Sequence, residues 1–139
     1  MADNTTLTVN GNFSFYEGCE VTLATGSSLS LQNGYLNDTS TIVCSSEISI
    51  GNNTMISNSV IIQDSDFHAI VREGFKKTAP IKIGDNVWIG VRSVILKGVS
   101  IGDGCVVAAG SVVNKSLKEK VLAGGVPCKI IRENIEWKK

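Results

Sequence analysis

Residues 83–113 read IGDNVWIGVRSVILKGVSIGDGCVVAAGSVV, which divides by six into IGDNVW, IGVRSV, ILKGVS, IGDGCV and VAAGSV, with one valine over. Every block opens on an aliphatic residue: Ile83, Ile89, Ile95, Ile101 and Val107, with Val113 opening the next. A helix repeats every 3.6 residues and a strand every 2, so neither sustains such a period. The fifth position of each block is small or β-branched: Val87, Ser93, Val99, Cys105 and Ser111. Gly84, Gly90 and Gly102 follow their aliphatics, and Asp85-Asn86 and Asp103-Gly104 come next. Asn and Gly tolerate the positive φ of a sharp corner. Each block therefore reads as a short strand with two inward residues, followed by a tight corner.

The same pattern runs upstream through Cys44, Ile50, Ile56 and Ile62, with Gly51, Asn52-Asn53 and the small positions Thr54 and Val60. Three blocks close a triangular coil of about 18 residues, the signature of a parallel β-helix, and coils stack at ~4.8 Å. Looser pairs carry the pattern backward: Leu7/Val9, Phe13/Phe15, Val21/Leu23, Leu29/Leu31 and Ile42/Cys44. The fold expected is all-β: a solenoid over residues 1–115, with a strand or helix tail over 116–139 that packs on the solenoid.

The composition agrees, since Gly, Ser, Val, Ile and Asn dominate while Leu, Pro and aromatics are scarce. At 139 residues the chain suits one domain. Thirteen basic and thirteen acidic residues cancel, which argues against nucleic acid as a partner. No apolar run approaches the ~20 residues of a membrane span, so membrane insertion is not expected. The four cysteines lack paired spacing and read as free thiols in a reducing, cytoplasmic setting.

A solenoid alone is a scaffold, so chemistry must come from what interrupts it. Between Ile62 and Ile81 the period fails, and a loop at about 63–80 is expected to protrude. It holds the chain's one histidine, His68, two residues after Asp66 and four after Asp64. Loops on rigid scaffolds are where sites sit. An imidazole titrates near neutrality and suits a general base. In extended backbone Asp66 and His68 would share a side, letting the carboxylate orient the ring. An exposed loop histidine beside solvated acids is the plainer alternative on these residues alone.

DSDFH followed by IGDNVWIG, together with VVAAGSVVNK and AGGVPCKIIREN, resembles the hexapeptide-repeat acyltransferases over about residues 42–136. The likeness is greatest to the sugar O-acetyltransferases of surface-polysaccharide synthesis, with galactoside and maltose acetyltransferases as cousins. The resemblance implies a left-handed hand for the β-helix, an exception to the right-handed crossover rule. It implies acetyl-CoA as co-substrate, no metal, and direct transfer to an acceptor deprotonated by His68, with Asp66 as partner. It places backbone contacts to the donor at Val91 and Ala109, Trp88 beside the thioester, and phosphate contacts at Asn114, Lys115, Lys129 and Arg132. Gly90, Ala108, Ala109 and Gly110 are small enough to wall a pantetheine slot, though Gly90 and Gly110 equally suit repeat packing. Asn37 matches an acceptor-binding position.

The resemblance also implies a homotrimer with sites between subunits. Val106, Val112, Val60 and Ile61, read as outward aliphatics, fit such burial. Two departures stand out. The helical N-terminal extension of the galactoside and maltose enzymes is not expected here, which would leave the acceptor pocket more open, as suits a polymer or lipid-linked glycan. IGVRSVILKGV also replaces the commoner IGxGAxILPGV, placing Arg92 near the donor groove.

The expected function is acetyl-CoA-dependent O-acetylation of a sugar or glycan. An amino-sugar N-acetyltransferase, a serine acetyltransferase and a non-catalytic scaffold are the alternatives. A γ-type carbonic anhydrase would need three histidines per zinc, which one histidine per chain cannot supply.

Overall fold

The computed structural model describes residues 3–139, which form three parallel sheets wound into a triangular prism of about five coils. The polar face consists of β1 (Thr6–Val9), β4 (Ser28–Leu31), β7 (Glu47–Ile50), β10 (Ile81–Ile83) and β13 (Ser100–Ile101). The aromatic face consists of β2 (Phe13–Phe15), β5 (Gly34–Leu36), β8 (Thr54–Ile56), β11 (Trp88–Ile89), β14 (Val106–Val107), β16 (Val121–Gly124) and the antiparallel β17 (Lys129–Glu133). The aliphatic face consists of β3 (Glu20–Leu23), β6 (Thr41–Cys44), β9 (Ile61–Gln63), β12 (Val94–Ile95) and β15 (Val112–Val113). This is the architecture expected of the β-helix. The tail carries strands and, among the described residues, no helix; β16 continues the solenoid by pairing in parallel with β14.

Period six gives every coil its inward row. On the aromatic face Leu36, Ile56, Ile89, Val107 and Ala123 stack in register and are fully buried. Each buried isoleucine contributes roughly 1.5–3 kcal/mol of transfer free energy. The fifth positions Thr54, Val60, Val87, Ser93, Val99, Cys105 and Ser111 also point inward. Val60 is thus core rather than outward, because it occupies the corner position filled by Ser93 one coil on. Buried hydroxyls satisfy themselves on nearby carbonyls: Ser93 Oγ donates to Ala108 at 3.1 Å and Ser40 Oγ to Ser57 at 2.7 Å.

The outward rows give each face its character. The polar face shows Ser30, Ser49, Lys82 and Ser100, and the aliphatic face shows Thr41, Ile61, Val94 and Val112. Val106 lies on the aromatic face, in the row Ser14, Tyr35, Met55, Trp88, Val106, Leu122, and is nearly covered. The edge between aromatic and aliphatic faces turns on left-handed residues Thr39, Ser59, Arg92 and Gly110. Arg92 therefore occupies a corner rather than a strand.

Candidate functional site

The interruption leaves the prism after β9 and returns at β10, so residues 64–80 stand on the edge between aliphatic and polar faces. Its base closes as a short antiparallel bridge, Ser65 opposite Thr78, with the Asp66 N–H donating to Lys77 at 2.9 Å. Asp64 is fully buried, and its carboxylate accepts the N–H groups of Ser45, Ser46 and Glu47 at 2.7, 2.8 and 2.9 Å. It holds the corner between β6 and β7 and so seats the loop. Burial, and secondarily the Asp64 charge, push the neighbouring Cys44 thiol up to about 11.

His68 is exposed and makes no hydrogen bond or ion pair among the described residues. Asp66 makes no ion pair or hydrogen bond with it. The backbone between them is not extended: Phe67 has φ of +62°, a left-handed conformation costly for an aromatic residue, and the i, i+2 alternation breaks there. The Asp66 carboxylate instead pairs with Lys97 Nζ at 2.8 Å. Lys97 leaves β12 on the same edge, one coil on, and ties the loop at two further points. Its ammonium donates to the Lys76 carbonyl and lies 4.1 Å from the centre of the Phe75 ring. Sequence reasoning missed this anchor, although its trace is visible: Lys97 stands where ILPGV would carry proline.

The positions expected to meet the donor lie on a different edge. Gly90 and Ala108 stack in one column with Asn37 and Ser57 where aromatic and aliphatic faces meet, and Val91 and Ala109 follow in the next. A Cβ on Gly90 would meet Ala109 N at 2.6 Å and Val107 O at 2.7 Å, so coil contact alone demands glycine. Gly110 serves the corner through its φ of +71°. Val91 and Ala109 are exposed, and neither N–H donates a hydrogen bond among the described residues. Asn37 uses its side-chain oxygen to accept the Asp38 N–H at 2.9 Å.

Trp88 is outward, 42% exposed, with its indole N–H 3.3 Å from Ser57 Oγ. Its ring is also packed at 5.8 Å against Trp137, whose own N–H donates to the Asn86 carbonyl at 2.8 Å. That tail contact had no signal in the repeats. Asn114 and Lys115 are exposed just past β15, and Lys129 and Arg132 are exposed on β17. The turn before β17 caps the end of the aliphatic face, with the Cys128 N–H donating to Val112 at 2.9 Å, so both basic segments reach the same end of the prism.

The chain thus brings Asn37, Trp88, Val91 and Ala109 to one edge and its neighbouring face, and carries His68 on another edge, with the aliphatic face between them.

The hexapeptide repeat of succinyl-transferase, as a family model, matches residues 80–115. The galactoside O-acetyltransferase of Escherichia coli (strain K12) is 42% identical over 105 residues, 73% of this chain and 52% of that protein. The chain carries this hexapeptide repeat and is similar to acetyltransferases. Among solved structures, a hexapeptide-repeat acetyltransferase of Vibrio cholerae complexed with acetyl coenzyme A superposes with a TM-score of 0.76 at 27% identity, covering 96% of this chain and 73% of that one. A galactoside acetyltransferase in complex with coenzyme A gives 0.71 at 35% identity, covering 92% of this chain and 64% of that one. This hexapeptide-repeat chain spans about half, or less, of the length of the curated relatives it matches.

Proposed function

We propose that the protein transfers the acetyl group of acetyl-CoA directly to a hydroxyl of a sugar or glycan, with His68 as general base. The reading is carried by the edge beside Trp88, where Val91 and Ala109 present unpaired N–H groups along a wall kept low by Gly90 and Ala108. Such donors suit the amide carbonyls of a pantetheine arm. Asn114, Lys115, Lys129 and Arg132, at the end of the same prism, suit its phosphates.

Acetyl-CoA supplies the activated acyl group. His68 accepts the acceptor hydroxyl proton while that oxygen bonds to the acetyl carbon; the carbon–sulfur bond breaks, and the imidazolium returns its proton to the departing thiolate. Asp66 acts at a distance from this chemistry, as the loop's tether to Lys97. A cytoplasmic setting goes with this reading, where the donor is made and thiols such as the four free cysteines stay reduced.

Because His68 and the donor edge flank the aliphatic face, the reading includes a homotrimer packed through Ile61, Val94 and Val112. One protomer would then lend its loop to the donor edge of the next.

The test is coenzyme A release from acetyl-CoA with a panel of sugars, amino sugars and oligosaccharides. Release should depend on a hydroxyl acceptor and fall by roughly two to four orders of magnitude in His68→Ala. Activity that survives the substitution refutes His68 as the base. Preference for an amino sugar refutes the hydroxyl acceptor, and a monomer by equilibrium sedimentation refutes the shared site.

A further inference from the structure

The first four coils carry a groove on the aromatic face that the donor chemistry leaves unused. It encloses about 550 Å³. Its floor is Ser14, Tyr35 and Met55, successive outward residues of β2, β5 and β8. One wall is a stack of asparagines: strand register places Asn12, Asn33, Asn53 and Asn86 one above another, a coil apart. The opposite wall is Tyr16, set edge-on to Tyr35 at 5.9 Å. The far end closes on Trp137, which leans on Trp88, the next outward residue after Met55.

We propose that this groove binds a run of several neutral sugar units of an acceptor glycan. Aromatic ring faces are electron-rich and accept the C–H faces of pyranose rings. The side-chain amides of Asn12, Asn53 and Asn86 and the hydroxyls of Ser14, Tyr16 and Tyr35 have no partner among the described residues, leaving both donors and acceptors for sugar hydroxyls. The lining carries one charged residue, Lys139, too few cations for a diphosphate. Four stacked asparagines span three coil spacings, about 14 Å at ~4.8 Å each, longer than one sugar ring. The groove also points the right way, since its floor row leads into Trp88. What the glycan does there rests on the acetyl-transfer reading; its binding does not.

The experiment titrates the full chain, without acetyl-CoA, with galactose- and glucose-based tetrasaccharides and with the matching monosaccharides. At least one tetrasaccharide should bind tenfold or more tightly than its monosaccharide. Tyr35→Ala and Tyr16→Ala, both outward-facing positions outside the buried core, should each remove most of that advantage, while Tyr35→Phe should keep it. No tetrasaccharide advantage overturns the proposal, as does an advantage that survives both alanine variants. A loss of coenzyme A affinity in Tyr35→Ala would also overturn it, reassigning the groove to the donor's adenine. Binding without acetyl transfer would keep the groove and sink the catalytic reading, so the two failures are distinguishable.

Discussion

Replacing Lys97 with methionine keeps the aliphatic stem and deletes the charge that ties the loop in three places. The ion pair to Asp66 joins side chains that are 22% and 35% exposed, so screening limits it to about 0.5–1 kcal/mol. The bond to the Lys76 carbonyl adds about 1 kcal/mol. The contact with Phe75 at 4.1 Å adds about 0.5–1 kcal/mol. Together they come to about 2–3 kcal/mol, or a rise of roughly 30- to 150-fold in the open loop population. Arg72, Lys76 and Lys77 are already exposed, and loop opening frees the backbone around them to enter the trypsin cleft. When closing outruns cleavage, the cutting rate follows that population. Native-state proteolysis read by mass spectrometry should show loop cleavage accelerated at least tenfold in Lys97→Met, with Lys97→Arg in between because its planar fork fits the same partners differently. Cleavage within twofold of wild type would refute the reasoning and reduce Lys97 to a solvated surface charge.

Other expectations follow from neighbouring features. Gly90→Ala forces a Cβ against the backbone of the next coil and should cost about 1–3 kcal/mol in denaturant unfolding. Asp64→Asn removes the charge from three buried hydrogen bonds and should cost about 2–4 kcal/mol, read as a lowered melting temperature. Cys44, raised from 9.0 to about 11, should resist alkylation in the native chain at pH 8, where about a thousandth is thiolate. The raised thiol also ties stability to alkali. Below pH 9 both states hold the proton and the contribution is intact; between pH 9 and about 11 only the unfolded thiol ionises, so stability falls by about 2–3 kcal/mol. A Cys44→Ala variant whose unfolding free energy declines equally over that range would remove Cys44 as the cause.

The prism was legible because its core is written locally. Ile83, Ile89 and Ile95 each fill one face of one coil, and the stack repeats the choice. The loop was legible as a failed period. Side-chain partnerships across coils were not. Asp66 looked like a neighbour of His68 on the assumption of extended backbone, and one left-handed residue, Phe67, sends it to Lys97 instead. Val60 was ambiguous because Val60, Ile61 and Ile62 are all aliphatic, and only the corner geometry decides which point inward. Trp137 reaches back 51 residues to Asn86 from a segment that carries no period, so nothing local announced it. The asparagine stack needs strand register, because the irregular early coils space its members unevenly.

The detour at residues 64–80 leaves the stack around it undisturbed: Ile48 still pairs with Ile81 and Ile61 with Val94, as if the intervening chain did not exist. Its length is therefore nearly invisible to the core, since each doubling of a flexible loop costs only about 0.6 kcal/mol. Beyond the anchors Asp64 and Asp66, the segment can be lengthened, shortened or rewritten while the prism keeps its register, so the loop can change its reach without rebuilding what holds the stack together.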